Sequence, residues 1–543
     1  RPDLAVHFWS SPCRFPPPAP PMRSRLAPAR LLARSSRRLS TATAIAPLDF
    51  TDPRTAFSGT STAELLRGVV VLTACTIRPF VMNAEMLLGL STKVFGKTFT
   101  DTVVRKTFFA HFVAGESAEG IKPVMQALKA QGVGGILDYA AEADMGDNPL
   151  TAGNANQPAR VYPYAGEDEC DANMQHFLTG VKAVADTSPD GFAAIKVTAL
   201  GDPKLLERIS DSLSAIQGFF TSLDKDGNGG LSKEEFSAGW LEAFDGVTAE
   251  QAGKYFDKYD TNKSGEIDPI EWSLMIPIEE VPKMVSKCKK AGPVKSTALS
   301  PDELVAMENM LSRCDKICAY AAELGVRLMI DAEHFHMQPA IDQAVLTMQL
   351  KYNKTYPAVY NTYQAYLRRT PGKLREDLER CKREDIHFGG KLVRGAYMVY
   401  ERERAARLGF ADPIQPNLEA SHASYAECMT EMLVRSPVPE KTSPFFASHN
   451  EDSVRMAVGL LSSGESKVTS DKVGFGQLLG MSDHLTFTLG GAGLKAYKYV
   501  PYGPLDEVMP YLLRRAQENS DALGGAPLQR AMMLAEVKRR MFG

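Results

Sequence analysis

No stretch of about twenty uninterrupted apolar residues, the length a helix needs to cross a bilayer, occurs in this 543-residue chain. The strongest candidate, residues 68–77, is too short and is followed at once by Arg78 and Pro79. Any membrane contact is therefore expected to be peripheral. The eight cysteines show no paired metal-ligand spacing, and Cys314 and Cys318 lie one helical turn apart. Free thiols in a reducing compartment fit that usage better than a disulfide frame. A dinucleotide fingerprint is also missing. GVGG at 132–135 and GGAG at 490–493 lack the strand–GxGxxG–helix context, which argues against a Rossmann domain for NAD or FAD.

Acid is scarce in one place only. Residues 1–45 hold eight arginines and a single acid, Asp3, among many Ser, Ala and Pro. That composition is expected of an organellar transit peptide, with a disordered basic tail as the alternative. Residue 1 is Arg rather than Met, so further residues are expected to precede it. Without this segment the net charge moves from −3 to −10, with 54 basic against 64 acidic residues. Nucleic acid is not expected as a partner of so acidic a protein.

With 44% hydrophobic residues, the chain can build one large core and a smaller module. Residues 46–130 read as a helical region. From about 133, short apolar runs alternate with helical spans. Eight runs read as strands: GILDY, AAIKVTAL, RLMIDAE, AVYNTYQAY, KLVRGAY, PFFASHN, KVGFGQLL and AYKYVPYG. The pattern predicts an α/β protein, a (β/α)8 TIM-like barrel over 131–205 and 280–525, followed by a helical tail at 526–543. Polar residues at the strand ends (Asp138, Lys196, Asp331, Gln364, Arg394, His449, Gln477, Tyr499) then share one rim, where such barrels place their active sites.

The interval between the second and third strands is too long for a simple crossover and is expected to be an inserted all-α EF-hand pair, 206–279. DKDGNGGLSKEE at 224–235 and DTNKSGEIDPIE at 260–271 both fit the twelve-residue calcium loop. Asp224, Asp226, Asn228 and Glu235 take positions 1, 3, 5 and 12, with Gly230 offering its carbonyl at position 7. Asp260, Asn262, Ser264 and Glu271 repeat the pattern, with Glu266 at position 7 and Asp268 at 9. Hard oxygen donors at this spacing suit Ca2+, and Leu231 and Ile267 at position 8 are placed to pair the loops. A metal-free pair kept for packing is the alternative.

The most informative stretch is YVPYGPLDEVMPYLLRRAQE, residues 499–518. Asp506 and Glu507 suit a helix start. Tyr511 and Glu518 fall three or four positions from Arg514 and Arg515 and so share their helix face. Two forked guanidinium groups match a planar carboxylate, and Glu518 can hold one of them rigid. By itself, RR-x-x-E would read as a solvated surface helix. ILDYAAE (136–142), IKVTAL (195–200), LMIDAE (328–333), YNTYQAY (360–366), KLVRGAY (391–397), FFASHN (445–450) and GFGQLLGM (474–481) accompany it in order. This ordered set resembles the flavin-dependent proline dehydrogenase family, over roughly residues 105–205 and 280–525.

The resemblance implies FAD as cofactor, L-proline as substrate, 1-pyrroline-5-carboxylate as product, and a quinone (ubiquinone) as acceptor at the matrix side of the inner mitochondrial membrane, which makes the organelle expected for the transit peptide the mitochondrion. It implies that Lys196, Arg514 and Arg515 grip the substrate carboxylate and that Tyr397, Tyr499 and Tyr511 wall in the pyrrolidine ring. Asp331 would stand near the substrate, tied to Lys196 or Arg515. Gln364, Lys391, Arg394, Ser448, His449, Asn450 and Glu518 would hold the flavin. A 4-hydroxyproline dehydrogenase and a calcium-binding scaffold with an inactive barrel are the competing expectations. His334 and His336, in EHFH, alternate at a strand end without a third metal ligand in the sequence around them.

Overall fold

The computed structural model describes residues 48–140, 143–144, 160–162, 164–188, 190–275, 278, 284–285, 287–289, 295–520 and 525–543. The arginine-rich segment 1–45 lies outside them, as do Ala141 and Glu142 of the first family-like motif.

Eight parallel strands close into a barrel in sequence order. They are β1 (Val133–Tyr139), β2 (Phe192–Ile195), β3 (Arg327–Ile330), β4 (Val359–Gln364), β5 (Phe388–Val393), β6 (Thr442–Ala447), β7 (Gly474–Leu478) and β8 (Lys495–Tyr502). Each overlaps one of the eight apolar runs picked out above, although several, β5 and β6 among them, begin ahead of theirs, at Phe388 and Thr442 for these two. β8 pairs with β1 over seven residues, from Val133↔Ala496 to Tyr139↔Tyr502, and closes the cylinder. Strands buried on both faces need continuous apolar sequence rather than alternation, which is why these runs stand out.

The barrel's interior is filled below the rim by an aromatic cluster. The Phe192 ring meets Tyr360, Phe445 and Tyr497 edge-on, with centroids 5.1–5.4 Å apart. Space for these rings comes from glycine. A Cβ on Gly134 would sit 2.4 Å from the Tyr497 ring, and one on Gly474 2.4 Å from Phe445. Only the upper end of the barrel is therefore open to a ligand.

A second core lies against the last barrel helix, Leu505–Glu518. Helix Thr62–Cys75 packs on the C-terminal helix Ala526–Phe542, burying Leu65, Val71 and Leu72 against Met533 and Val537. Ser61 and Glu64 form a reciprocal cap at the start of the first of these helices. Arg540 ties the C-terminal helix to the carbonyls of Phe57 and Thr60, each at 2.7 Å. Helix Ala84–Phe95, by contrast, buries none of its residues. No helix among the described residues is long and apolar enough to cross a membrane, and the seven described cysteines are all free and buried.

Between β2 and β3, helix Pro203–Leu223 belongs to two cores. Leu205, Leu206 and Ile209 pack in the barrel layer, whereas Phe219, Phe220 and Leu223 join Phe236, Trp240, Phe256 and Trp272. Two helix–loop–helix units follow, joined by a two-residue antiparallel ladder in which Leu231 faces Ile267. Gly229 and Gly265 turn their loops at φ of 89° and 88°, a left-handed conformation that side-chain-bearing residues rarely adopt.

Candidate active site

Elementary geometry puts the C-terminal ends of β1–β8 around one opening, and the opening is a cavity of about 430 Å³. All seven residues assigned to the substrate line it: Lys196, Asp331, Tyr397, Tyr499, Tyr511, Arg514 and Arg515. Lys391, Arg394, Ser448, His449 and Glu518 from the flavin set line it as well. Gln364 and Asn450 do not. Gln364 is buried just beneath, where its Nε2 donates to the Glu333 carbonyl (3.0 Å) and the Tyr366 hydroxyl (2.8 Å). Its Oε1 has no partner among the described residues. Asn450 caps helix Glu451–Ser463, accepting from the Ser453 amide at 2.9 Å.

Asp331 is the hub. Its Oδ2 takes the Lys196 ammonium at 3.3 Å and the Tyr499 hydroxyl at 2.8 Å, and its Oδ1 is paired with Lys391. The sequence reading tied Asp331 to Lys196 or Arg515. The structure keeps Lys196, and its second cation is Lys391 from β5, because β5 directs that side chain into the barrel mouth two strands away. Burial alone would raise the Asp331 carboxyl, but the charges of Lys391 and Lys196, aided by hydrogen bonds from Lys391 and Tyr499, hold it below its ordinary value. Burial, followed by the negative charges of Asp138 and Asp331, keeps the Tyr499 phenol protonated far above its ordinary range.

The last helix closes the other side. Arg515 Nη2 is fixed by Glu518 Oε1 at 2.7 Å, and its guanidinium lies 4.9 Å from the centre of the Tyr511 ring. Both arginines are buried. The Tyr511 hydroxyl has no hydrogen-bond partner among the described residues. Arg394 stacks 3.9 Å from the centre of the Tyr425 ring and contacts His422 and Ser453. Burial, then the nearby Lys498 and Arg515, depress His449 to about 3, so its imidazole is neutral at physiological pH. Its Nδ1 lies 3.1 Å from Ser482 Oγ.

Two neighbours escaped the sequence reading. Glu333 is fully buried, accepts the Thr198 amide (3.2 Å) and hydroxyl (2.5 Å), and is raised by burial to about 7. Lys498 is also fully buried, paired with Asp483 at 2.7 Å and donating to the Met481 carbonyl at 2.6 Å. Its signal was present, as a charge set between Tyr497 and Tyr499 inside the strand.

Charge decides what the cavity can hold. Its lining offers five cations (Lys196, Lys391, Arg394, Arg514, Arg515) against three carboxylates (Asp138, Asp331, Glu518). A cavity with surplus buried cations and flat aromatic walls favours an anionic, partly apolar ligand.

Comparison with known proteins agrees with the geometry. A family model described as proline dehydrogenase matches residues 218–525. Proline dehydrogenase 1, mitochondrial, of Caenorhabditis elegans is 36% identical over 91% of this chain and 88% of its own length. The Homo sapiens protein of the same name is 36% identical over 92% and 91%. Hydroxyproline dehydrogenase of Bos taurus is 31% identical over 90% and 92%. Among solved structures, proline utilization A from Bdellovibrio bacteriovorus, inactivated by N-propargylglycine, superposes with a TM-score of 0.53 at 17% identity. It covers 90% of this chain, which spans 40% of that longer protein. At that identity the likeness concerns the fold.

Proposed function

The chain belongs to the proline dehydrogenase family, and from that premise we propose that it oxidises L-proline to 1-pyrroline-5-carboxylate in the rim cavity. The observation that carries this reading is the convergence of Arg514, Arg515 and the Lys196–Asp331–Tyr499 group on one cavity from opposite walls. The two guanidinium groups and Lys196 anchor the substrate carboxylate, at about 1.5–3 kcal/mol for each hydrogen bond to a charged group. Tyr397, Tyr499 and Tyr511 supply flat contact for the ring methylenes.

No side chain accepts a hydride, so the reaction needs a cofactor, and bound FAD would supply the two-electron acceptor. The residues fit such a group. The cation surplus suits its diphosphate, Lys391 and Arg394 carry charge on the β5 side, and Ser448, His449 and Glu518 add polar contacts on the others. Gln364 contributes its unpartnered Oε1 from below, and Asn450 acts by capping the helix behind Ser448. The purified chain is expected to absorb near ~450 nm, as a flavoprotein does, and to bleach anaerobically with excess L-proline. Colourless protein after reconstitution, or colour that proline leaves unchanged, would sink the reading. Turnover on proline against 4-hydroxyproline separates the two activities named among the relatives. The Tyr499 hydroxyl, held on Asp331 against the ring site, favours the unsubstituted amino acid.

The loop pair is read as an EF-hand insert that binds Ca2+. In the first loop, ligand atoms of Asp224, Asp226 and Glu235 lie within 4.8 Å of one another. In the second, Asp260 and Glu271 are shaped by loop amides, including Ser264 to Asp260 at 2.9 Å and Thr261 to Glu271 at 2.9 Å. Asp268 of this loop also pairs with Arg383 of the barrel helix Thr370–Arg383 at 2.5 Å, a route by which the ion's presence reaches the barrel. Calorimetry is expected to show Ca2+ binding that Glu235→Gln weakens at least ~10-fold, through loss of a bidentate ligand. Heat unchanged by that substitution would leave the loop without its ion.

Mitochondrial residence and a membrane quinone as acceptor complete the reading. Exposed Met86, Leu90, Val94 and Phe95, with Lys93 and Lys97 beside them, suit contact with an anionic bilayer surface. Sedimentation with anionic vesicles is the check. Met86→Asp with Phe95→Asp should abolish it, and binding that survives both changes would place the contact elsewhere.

A further inference from the structure

The loop after β3 and the helix Met398–Leu408 bring together three polar side chains that lie outside the rim cavity. His334 is 2% exposed, Glu401 is fully buried, and His336 is half-buried between them and the surface. Glu401 Oε1 is engaged, accepting the Phe335 amide at 2.8 Å and facing His334 Nδ1 at 3.2 Å. Glu401 Oε2, His334 Nε2 and His336 Nδ1 have no hydrogen-bond partner among the described residues. Three unsatisfied buried atoms in one spot is a rare arrangement in a folded protein. One nitrogen from each imidazole and one carboxylate oxygen also lie within 4.8 Å of one another. An ion held at about 2.0–2.2 Å from each would close that spread with modest side-chain rotation.

We propose that His334, His336 and Glu401 form a binding site for a divalent transition-metal ion, Zn2+ above others, with two imidazole ligands, one carboxylate ligand and the remaining position open to water. Two imidazoles and a carboxylate are a donor set for zinc or a similar metal, and a poor one for calcium, which takes oxygen. A His334–Glu401 hydrogen bond alone accounts for one atom of each residue and leaves His336 unexplained. Arg404 is the cation that stands beside His336. The Arg404 cation is itself paired with Glu207 at 2.6 Å, which offsets its repulsion of an ion.

The site borders the rim cavity without belonging to it. The His334 ring packs on Tyr397, with centroids 4.3 Å apart, and Tyr397 lines the cavity. An ion here would pin the β3 loop to helix Met398–Leu408 and stiffen that wall. It takes no part in the redox chemistry.

The test uses the full chain, stripped with chelator and held in excess Ca2+ so that the oxygen-rich loops are filled. Titration with Zn2+ against a chromophoric competitor should show one equivalent bound and a raised melting temperature. Co2+ should give the absorption of a nitrogen- and oxygen-ligated ion. His336→Ala, at a half-buried position where folding survives, should weaken Zn2+ at least ~10-fold and remove the thermal shift. Glu401→Gln should do the same where it folds. Absence of stoichiometric Zn2+ uptake, or uptake that His336→Ala leaves unchanged, overturns the proposal.

Discussion

Replacing Arg515 with Met is expected to raise the KM for proline by about 100-fold while the protein stays yellow. Loss of a buried, charge-assisted contact of about 1.5–3 kcal/mol, together with the rigidity that Glu518 gives the guanidinium, sets that scale. Methionine keeps the apolar stem against Tyr511, so the helix Leu505–Glu518 should hold its place. Arg515→Lys is a sharper probe. It preserves the charge but not the fork, and should recover only part of the affinity if planar recognition of a carboxylate is what matters. Steady-state kinetics with the flavin spectrum recorded in parallel would decide the matter, and a proline KM unchanged in Arg515→Met would remove the clamp.

Asp331→Asn is expected to cost about 3–5 kcal/mol of stability, because it strands the buried ammonium groups of Lys196 and Lys391. The effect carries a pH signature. Burial acts to raise the Asp331 carboxyl and the two lysines more than reverse it, so its folded value lies below the ordinary 3.8. The stabilisation is thus complete above about pH 4–5 and is lost as pH falls through the depressed folded value. Urea unfolding of both proteins between pH 2.5 and 7 should show the wild type converging on the variant at the acid end. Parallel curves across that range would mean that Asp331 does not carry the charge balance of the rim.

Much of this was legible beforehand. The eight strands could be read because a parallel barrel buries both faces of each strand, which leaves short apolar runs between amphipathic helices. The pairing of the loops 224–235 and 260–271 through Leu231 and Ile267 was legible because both residues hold the eighth position of a twelve-residue repeat. Arg514 and Arg515 could be read together because a helix brings positions three and four apart onto one face. What the sequence did not show involves partners far apart in sequence. Asp331 meets Lys391 sixty residues away, and its choice of Lys391 over Arg515 depends on barrel closure. Glu401 approaches His334 from sixty-seven residues away, so the motif EHFH alone suggested no third ligand. Glu333 carries no mark in the sequence, because only the fold buries it beside Thr198. Helix Pro203–Leu223 runs unbroken from barrel to insert, a continuity that residue patterns do not mark.

From the sequence alone came the strand order, the paired loops of the insert and the paired arginines, since each is written in local periodicity or spacing. Tertiary structure decided which charges neutralise one another, which polar groups are cut off from water, and where a third ligand arrives. Those outcomes depend on distance through space and on local dielectric, and neither exists until the chain has folded.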